Sequence, residues 1–200
     1  WVSHDFNFTI TVRPVAYLDE YPTGVVNAGS TLSFSGFGTD DDTVVEYRWF
    51  SSIDGVISTS DEFEISTLSN GSHSVAFTVR DNDGVWSNPV FANFTVNGRP
   101  IVSINGPSND SIFIDDDTVT FSASASDDQS GLDYLWYSSR DGELSTSLSF
   151  STDALTNGTH NIYFNATDVH NYTSETASIQ IYINGRPIAA FNSHPTGLRS

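Results

Sequence analysis

The chain has no cysteine among its 200 residues, and all seven of its basic residues are arginine, so lysine is absent too. Without cysteine there can be no disulfide, no thiolate metal site and no cysteine nucleophile, and stability must come from packing. Seven cations stand against 25 carboxylates, for a formal net charge of -18. Such a field repels nucleic-acid phosphates and anionic lipid head groups, which excludes nucleic acid as a partner. Equally absent is any apolar run near the ~18 to 20 residues a membrane helix requires, or any leader-like pattern, so no membrane insertion is expected. No Gly-x-Ser-x-Gly, His-Glu-x-x-His or glycine-rich phosphate loop occurs, and the serines are scattered. A convergent catalytic set is therefore not expected, and the chain reads as a non-enzyme.

What is present is a repeat. "VNGRP" at residues 96 to 100 returns as "INGRP" at 183 to 187. Shifting the sequence by 87 residues lays Phe34 on Phe121, Tyr47 and Trp49 on Tyr134 and Trp136, and Asp54-Gly55 on Asp141-Gly142. Leu68, Asn70-Gly71, His73, Phe77 and Asp81 likewise meet Leu155, Asn157-Gly158, His160, Phe164 and Asp168. Self-similarity at a fixed period marks tandem copies. Arg13-Pro14, Arg99-Pro100 and Arg186-Pro187 open successive copies at spacings of 86 and then 87, so the second carries one extra residue near its start. The expected organisation is the last strand of a preceding repeat over 1–12, repeat 1 over 13–97, repeat 2 over 98–184, and the start of a following repeat over 185–200. The abrupt start at Trp1 suggests a window from a longer exported protein.

Within each copy apolar residues alternate. Val75, Phe77 and Val79 share one parity, Val45, Tyr47 and Trp49 form another such run, and Gly, Asn, Asp and Ser clusters punctuate the chain. Period two with frequent turn residues predicts strands throughout: an all-β chain of tandem seven-stranded antiparallel β-sandwiches. "GTDDDTVVEYRW" followed by "HSVAFTVRDNDG" resembles the polycystic-kidney-disease (PKD) type of immunoglobulin-like domain, with an acidic B–C loop, a Tyr-x-Trp strand C and a strand F ending in aspartate. "WFSSIDGVI" and "WYSSRDGEL" replace the Trp-Asp-Phe-Gly-Asp-Gly run typical of that family, marking a divergent branch.

Trp49 and Trp136 are expected in the two cores, and His73 and His160, which follow Asn-Gly turns, in turn-capping or surface roles. In a sandwich of alternating strands, the entry of strand A, the B–C loop and the F–G loop share one end. In repeat 1 this gathers Thr11, Asp40, Asp41, Asp42, Asp81 and Asp83; in repeat 2 it gathers Asn97, Asp127, Asp128, Gln129 and Asp168. Calcium takes roughly six to eight oxygen ligands, and these groups offer them. The resemblance implies the same cofactor, since some PKD-type domains bind calcium in these places. The competing reading is that these aspartates form turns by bonding their own backbone. Asp115-Asp116-Asp117, at the other end, reads as a solvated loop.

Seven Asn-x-Ser/Thr sequons, at Asn7, Asn70, Asn93, Asn109, Asn157, Asn165 and Asn171, favour an exported glycoprotein. The seam is short and carries a proline, which limits swivelling. The reading that follows is a non-catalytic structural or adhesive array, extracellular or at the cell surface, elongated and stiffened by calcium. Its partners would be neighbouring repeats of the same chain, other copies in a fibre, or cell-surface glycans. The alternative is an accessory carbohydrate-binding or spacer region of a secreted hydrolase, with Trp86, Tyr17, Tyr21 or Tyr137 stacking on sugar rings; in repeat 2 Tyr172 or a neighbour takes the place of Trp86.

Overall fold

The computed structural model describes residues 11–190. Asn7, nearly all of the strand expected over 1–12, and 191–200 of the final segment lie outside the described residues. The chain divides into two compact units, Trp1–Arg99 and Pro100–Ser200.

Among the described residues the regular structure of each unit is all strand, with eight strands rather than seven, and not all are antiparallel. In unit 1 they are β1 (Val15–Glu20), β2 (Gly24–Asn27), β3 (Leu32–Thr39), β4 (Val44–Ser51), β5 (Gly55–Ser58), β6 (Glu62–Ile65), β7 (Gly71–Asp81) and β8 (Val90–Asn97). Three strands form one sheet in the order β1-β3-β6, and five form the other in the order β2-β8-β7-β4-β5. The segment expected to be a single first strand breaks after Glu20 and changes sheets. Its first half runs antiparallel to β3, and its second half runs parallel to β8, with Gly24 opposite Phe94 and Asn27 opposite Asn97. The tail end of β8 thereby gains a partner, and a first strand shared between two sheets helps close the sandwich's edge.

Unit 2 repeats the plan with β9 (Ile101–Gly106), β10 (Ser111–Ile114), β11 (Val119–Ser126), β12 (Asp133–Ser138), β13 (Gly142–Ser145), β14 (Ser149–Thr152), β15 (Gly158–Thr167) and β16 (Ala177–Asn184). The sheets are β14-β11-β9 and β10-β16-β15-β12-β13, with β10 parallel to β16. The extra residue of the second copy falls in the break of this first strand, where residues 107–110 replace 21–23.

The inward parity of the long strands makes the cores. Val75, Phe77 and Val79 of β7 are fully buried with Trp49 of β4, as are Ile162, Phe164 and Ala166 of β15 with Trp136 of β12. Phe34 stacks on Phe63 at 5.0 Å and Phe121 on Phe150 at 5.0 Å, joining the two sheets edge to face with the tryptophans. Each indole also donates to a carbonyl, Ser60 at 2.9 Å and Ser147 at 3.0 Å, so its polar edge is satisfied inside the core.

Candidate functional site

The end of each sandwich that carries the first strand's entry also carries the B–C and F–G loops. Val15 pairs with Thr39, just before Asp40, and Val44 pairs with Asp81. Several of the acidic side chains gathered there bond main chain. Asp81 Oδ1 accepts from Val85 N–H at 2.8 Å, and Asp168 Oδ1 accepts from His170 and Tyr172 N–H at 2.8 and 2.9 Å. Asp42 accepts from Thr43 N–H, and Asp127 from Gln129 N–H. Side chains also tie the two loops together: Asn82 donates to Asp42 at 3.0 Å in repeat 1, and His170 meets Gln129 at 3.3 Å in repeat 2. These are the turn-forming contacts that aspartate favours.

Two oxygens stand apart. Oδ1 of Asp40 and Oδ1 of Asp127, at equivalent positions, are buried with no hydrogen-bond partner. Among the described residues no group of three or more His, Asp or Glu side chains comes together to hold a metal. Of these acidic side chains, Asp40 and Asp127 are the ones with an oxygen open to a cation, whose remaining ligands would have to be main-chain carbonyls and water. Asp41 and Asp128 are exposed. Asn97 is fully buried in β8 and donates to Asn27 at 3.2 Å, which fixes it within the first sandwich at the end remote from that sandwich's acidic loops. Of the third acidic run, Asp117 accepts from Ile114 N–H at 2.8 Å and so closes a turn.

His73 and His160 are not surface residues. They are 3% and 0% exposed and lie on the inward parity of their strands. In repeat 1 Nε2 is 2.7 Å from the Ser69 carbonyl and Nδ1 is 2.8 Å from Ser51 Oγ; in repeat 2 the partners are Thr156 at 2.6 Å and Ser138 at 2.9 Å. A carbonyl can only accept, so Nε2 carries the proton and Nδ1 accepts from the serine hydroxyl. The serine oxygens in turn accept main-chain N–H groups, those of Ile53 and Asp54 or of Arg140 and Asp141. Every bond is met with one proton on the ring. Asp54 sits 3.9 Å from His73, and Asp141 3.5 Å from His160. Serine, histidine and aspartate are the residue types of a hydrolase triad, but here the serine is fully buried and the ring's outer nitrogen is bound to a carbonyl. The network locks two turns to the sheet: Asp54 takes the Ser69 hydroxyl at 2.6 Å and its N–H at 3.1 Å, and Asp141 does the same with Thr156. The Ser69 hydroxyl is the main reason the Asp54 carboxyl lies below its ordinary range, with partial burial opposing it and the Ser69 N–H assisting.

The remaining sequence candidates are on the surface. Tyr17 stacks on Phe37 at 5.1 Å, and Tyr137 faces Tyr163 at 6.5 Å. Tyr21 is 40% exposed. Trp86 lies in the F–G loop beneath Arg48, whose guanidinium carbon is 4.5 Å from the ring centroid, and the Trp86 carbonyl takes Arg13 Nη1 at 2.7 Å. Trp86 bridges Arg80 as Thr173 bridges Thr167, so Thr173, not Tyr172, is its counterpart in repeat 2. The sequons at Asn70, Asn93, Asn157 and Asn171 are exposed; Asn165 is half-buried, and the Asn109 side chain is held by Asp110 and Gln180.

A family model described as "Bacterial Ig domain" matches residues 100–164, most of the second repeat. Comparison with curated proteins gives no match. Among solved structures the chain is similar to fibronectin(III)-like modules of Clostridium thermocellum CbhA, at 16% identity over 90% of this chain and 100% of that one, with a TM-score of 0.43. It is also similar to the D00-D0 domain of Intimin, at 13% identity over 84% and 98%, with a TM-score of 0.43. Likenesses this distant carry no argument about what the chain does. Ig-like domain families are typically non-catalytic, and the two units are immunoglobulin-like sandwiches, the second matching a bacterial Ig domain.

Proposed function

We propose that the chain is a stretch of a non-catalytic structural or adhesive repeat array that lies outside the cell, built from a divergent PKD-type branch of immunoglobulin-like sandwiches. One observation carries this reading: the same buried frame is built twice, under surfaces that differ from one repeat to the other. Trp49, His73 and Phe77 in one and Trp136, His160 and Phe164 in the other are all essentially buried. A chain that repeats its interior and varies its exterior suits spacing and presentation better than turnover of a substrate. Net charge of -18 and exposed sequons at Asn70 and Asn157 agree with an exported, glycosylated chain whose partners are neighbouring repeats, further copies or glycans. Antibody labelling of intact against permeabilised source cells tests the location; signal restricted to permeabilised cells would contradict it. Mass spectrometry of the native material tests the sugars, and unmodified asparagine at all seven sequons would remove that part.

Calcium stiffening of the array is part of the same proposal and rests on the partnerless Oδ1 atoms of Asp40 and Asp127. An ion bound only by the folded state raises its stability, by about 2.7 kcal/mol at a hundred times the dissociation constant. Calcium should therefore raise the melting temperature more than magnesium does at matched ionic strength. Asp40→Asn should abolish the gain in repeat 1 alone and Asp127→Asn the gain in repeat 2 alone. A melt indifferent to chelator at constant ionic strength would end the calcium proposal.

A further inference from the structure

The seven arginines are not spread evenly. Three of them, Arg13, Arg48 and Arg80, surround Trp86 in repeat 1. Two are committed: Arg13 to the Trp86 carbonyl, and Arg80 to Glu46 at 2.5 Å. The third is different. Among the described residues the Arg48 guanidinium has no hydrogen-bond or ion-pair partner, although the chain carries 25 carboxylates. It is exposed and lies over the Trp86 ring, so its donor edge is held in place and left open. Beside it is a cleft of about 390 Å³ lined by Val45, Glu46, Tyr47, Arg48, Thr59 and Trp86.

We propose that this cleft recognises a carboxylated sugar, a uronate unit of an acidic saccharide, with Arg48 as the contact for its carboxylate. An unpaired guanidinium fork matches a carboxylate in two parallel hydrogen bonds. The half-exposed Val45 side chain and the edge of the Trp86 indole, whose face Arg48 covers, supply an apolar border for the ring of the sugar. Glu46, about half exposed, and the Thr59 hydroxyl are groups that bond sugar hydroxyls. An acidic peptide brings carboxylates but no hydroxyl-bearing ring for Glu46, Thr59 and the apolar border to meet, so a uronate matches the lining better. Repeat 2 is an internal control. At the positions of Arg48, Arg80 and Trp86 it has Leu135, Thr167 and Thr173, so the site exists once. The proposal goes beyond the array reading and does not depend on it.

The test is a proton–nitrogen NMR titration of the whole chain with short galacturonate and glucuronate oligosaccharides. A uronate oligosaccharide should shift the Trp86 indole and Arg48 Nε signals saturably and leave the Leu135 and Thr173 amides in place. Its methyl ester, the same sugar without the charge, should bind about tenfold more weakly, as should R48Q towards the acid, because one charge-assisted pair is worth about that factor. Arg48 is a surface residue, so the rest of the R48Q spectrum should be unchanged, which separates lost contact from lost fold. Equal binding of the methyl ester, unchanged binding by R48Q, equal binding of an oligoaspartate peptide, or no saturable shift with any uronate would each overturn the proposal.

Discussion

The two repeats share an interior and differ on the outside. Where repeat 1 presents Asp19, Glu62 and Glu64 on its three-stranded sheet, repeat 2 has Asn105, Ser149 and Ser151 at the matching register positions. There the acidic face gives way to a hydroxyl ladder, with Thr120 and Ser151 bonded at 2.9 Å and Ser103 and Ser124 at 2.7 Å. Inside, Trp49, Phe34, Phe77 and His73 recur as Trp136, Phe121, Phe164 and His160 with hydrogen bonds at matching positions, although Phe94, which stacks on His73, is Ile181 in repeat 2. The interior is held by close packing and by buried polar groups that each need a partner, so exchange there is costly. Exposed positions away from such features tolerate change within about 0.5 kcal/mol, which leaves each repeat free to acquire its own surface.

The largest losses of stability are expected at the tryptophans. Trp49→Ala and Trp136→Ala each remove a fully buried ring and should each cost about 3–5 kcal/mol. If the repeats are separate cooperative units, hydrogen exchange should show protection lost over 32–97 for the first and over 119–184 for the second, and not elsewhere. Next come the histidines. His73→Ala and His160→Ala leave a buried serine hydroxyl and a carbonyl without their partner and should cost about 2–3 kcal/mol. The two should agree within error in denaturant melts, because the networks match bond for bond.

A smaller effect sharpens a real difference between the cores. Gly36 of repeat 1 is Ala123 in repeat 2, and a Cβ on Gly36 would lie 2.6 Å from Phe77 Cε1 and 2.9 Å from the Tyr17 carbonyl. Phe77 accordingly packs close on Trp49, at 4.2 Å between centroids, whereas Phe164 sits at 4.6 Å and more tilted on Trp136. Gly36→Ala should overpack repeat 1 by about 1–3 kcal/mol, although the same alanine is native to repeat 2. The smallest effect is in pH. A carboxyl whose folded pKa lies below the unfolded value of about 3.9 contributes stability that is present above that value and lost as pH falls through the folded pKa. Asp54→Asn should flatten the acid limb of the repeat 1 stability profile and leave that of repeat 2 as it was.

Much of this was legible in the letters. The 87-residue offset and the period-two runs around Trp49 and Val75 announce paired β-sandwiches, because burial on one face of a strand forces alternation. The burial of His73 was also written there, since it shares the parity of Val75, Phe77 and Val79; its partner Ser51 was not, being 22 residues away on β4. The split first strand escaped because a break after Glu20 and a parallel pairing of Val25 and Val26 with β8 depend on the sandwich edge and not on local pattern. The placement of Arg48 over Trp86 was hidden for the same reason, as it joins β4 to the F–G loop across the bulge at Val44 and Glu46. At the acidic loops the sequence brings the aspartates to one end but does not show their bonds, because an aspartate that closes a turn and one with an unpaired oxygen look alike in sequence.

Limited proteolysis of the native chain decides whether it builds one self-sufficient sandwich twice. The first cuts should fall close to the junction at Arg99 and Pro100, leaving two resistant pieces that each retain their eight described strands. A single resistant core that spans both repeats, or cuts within a repeat before any at the junction, would contradict it.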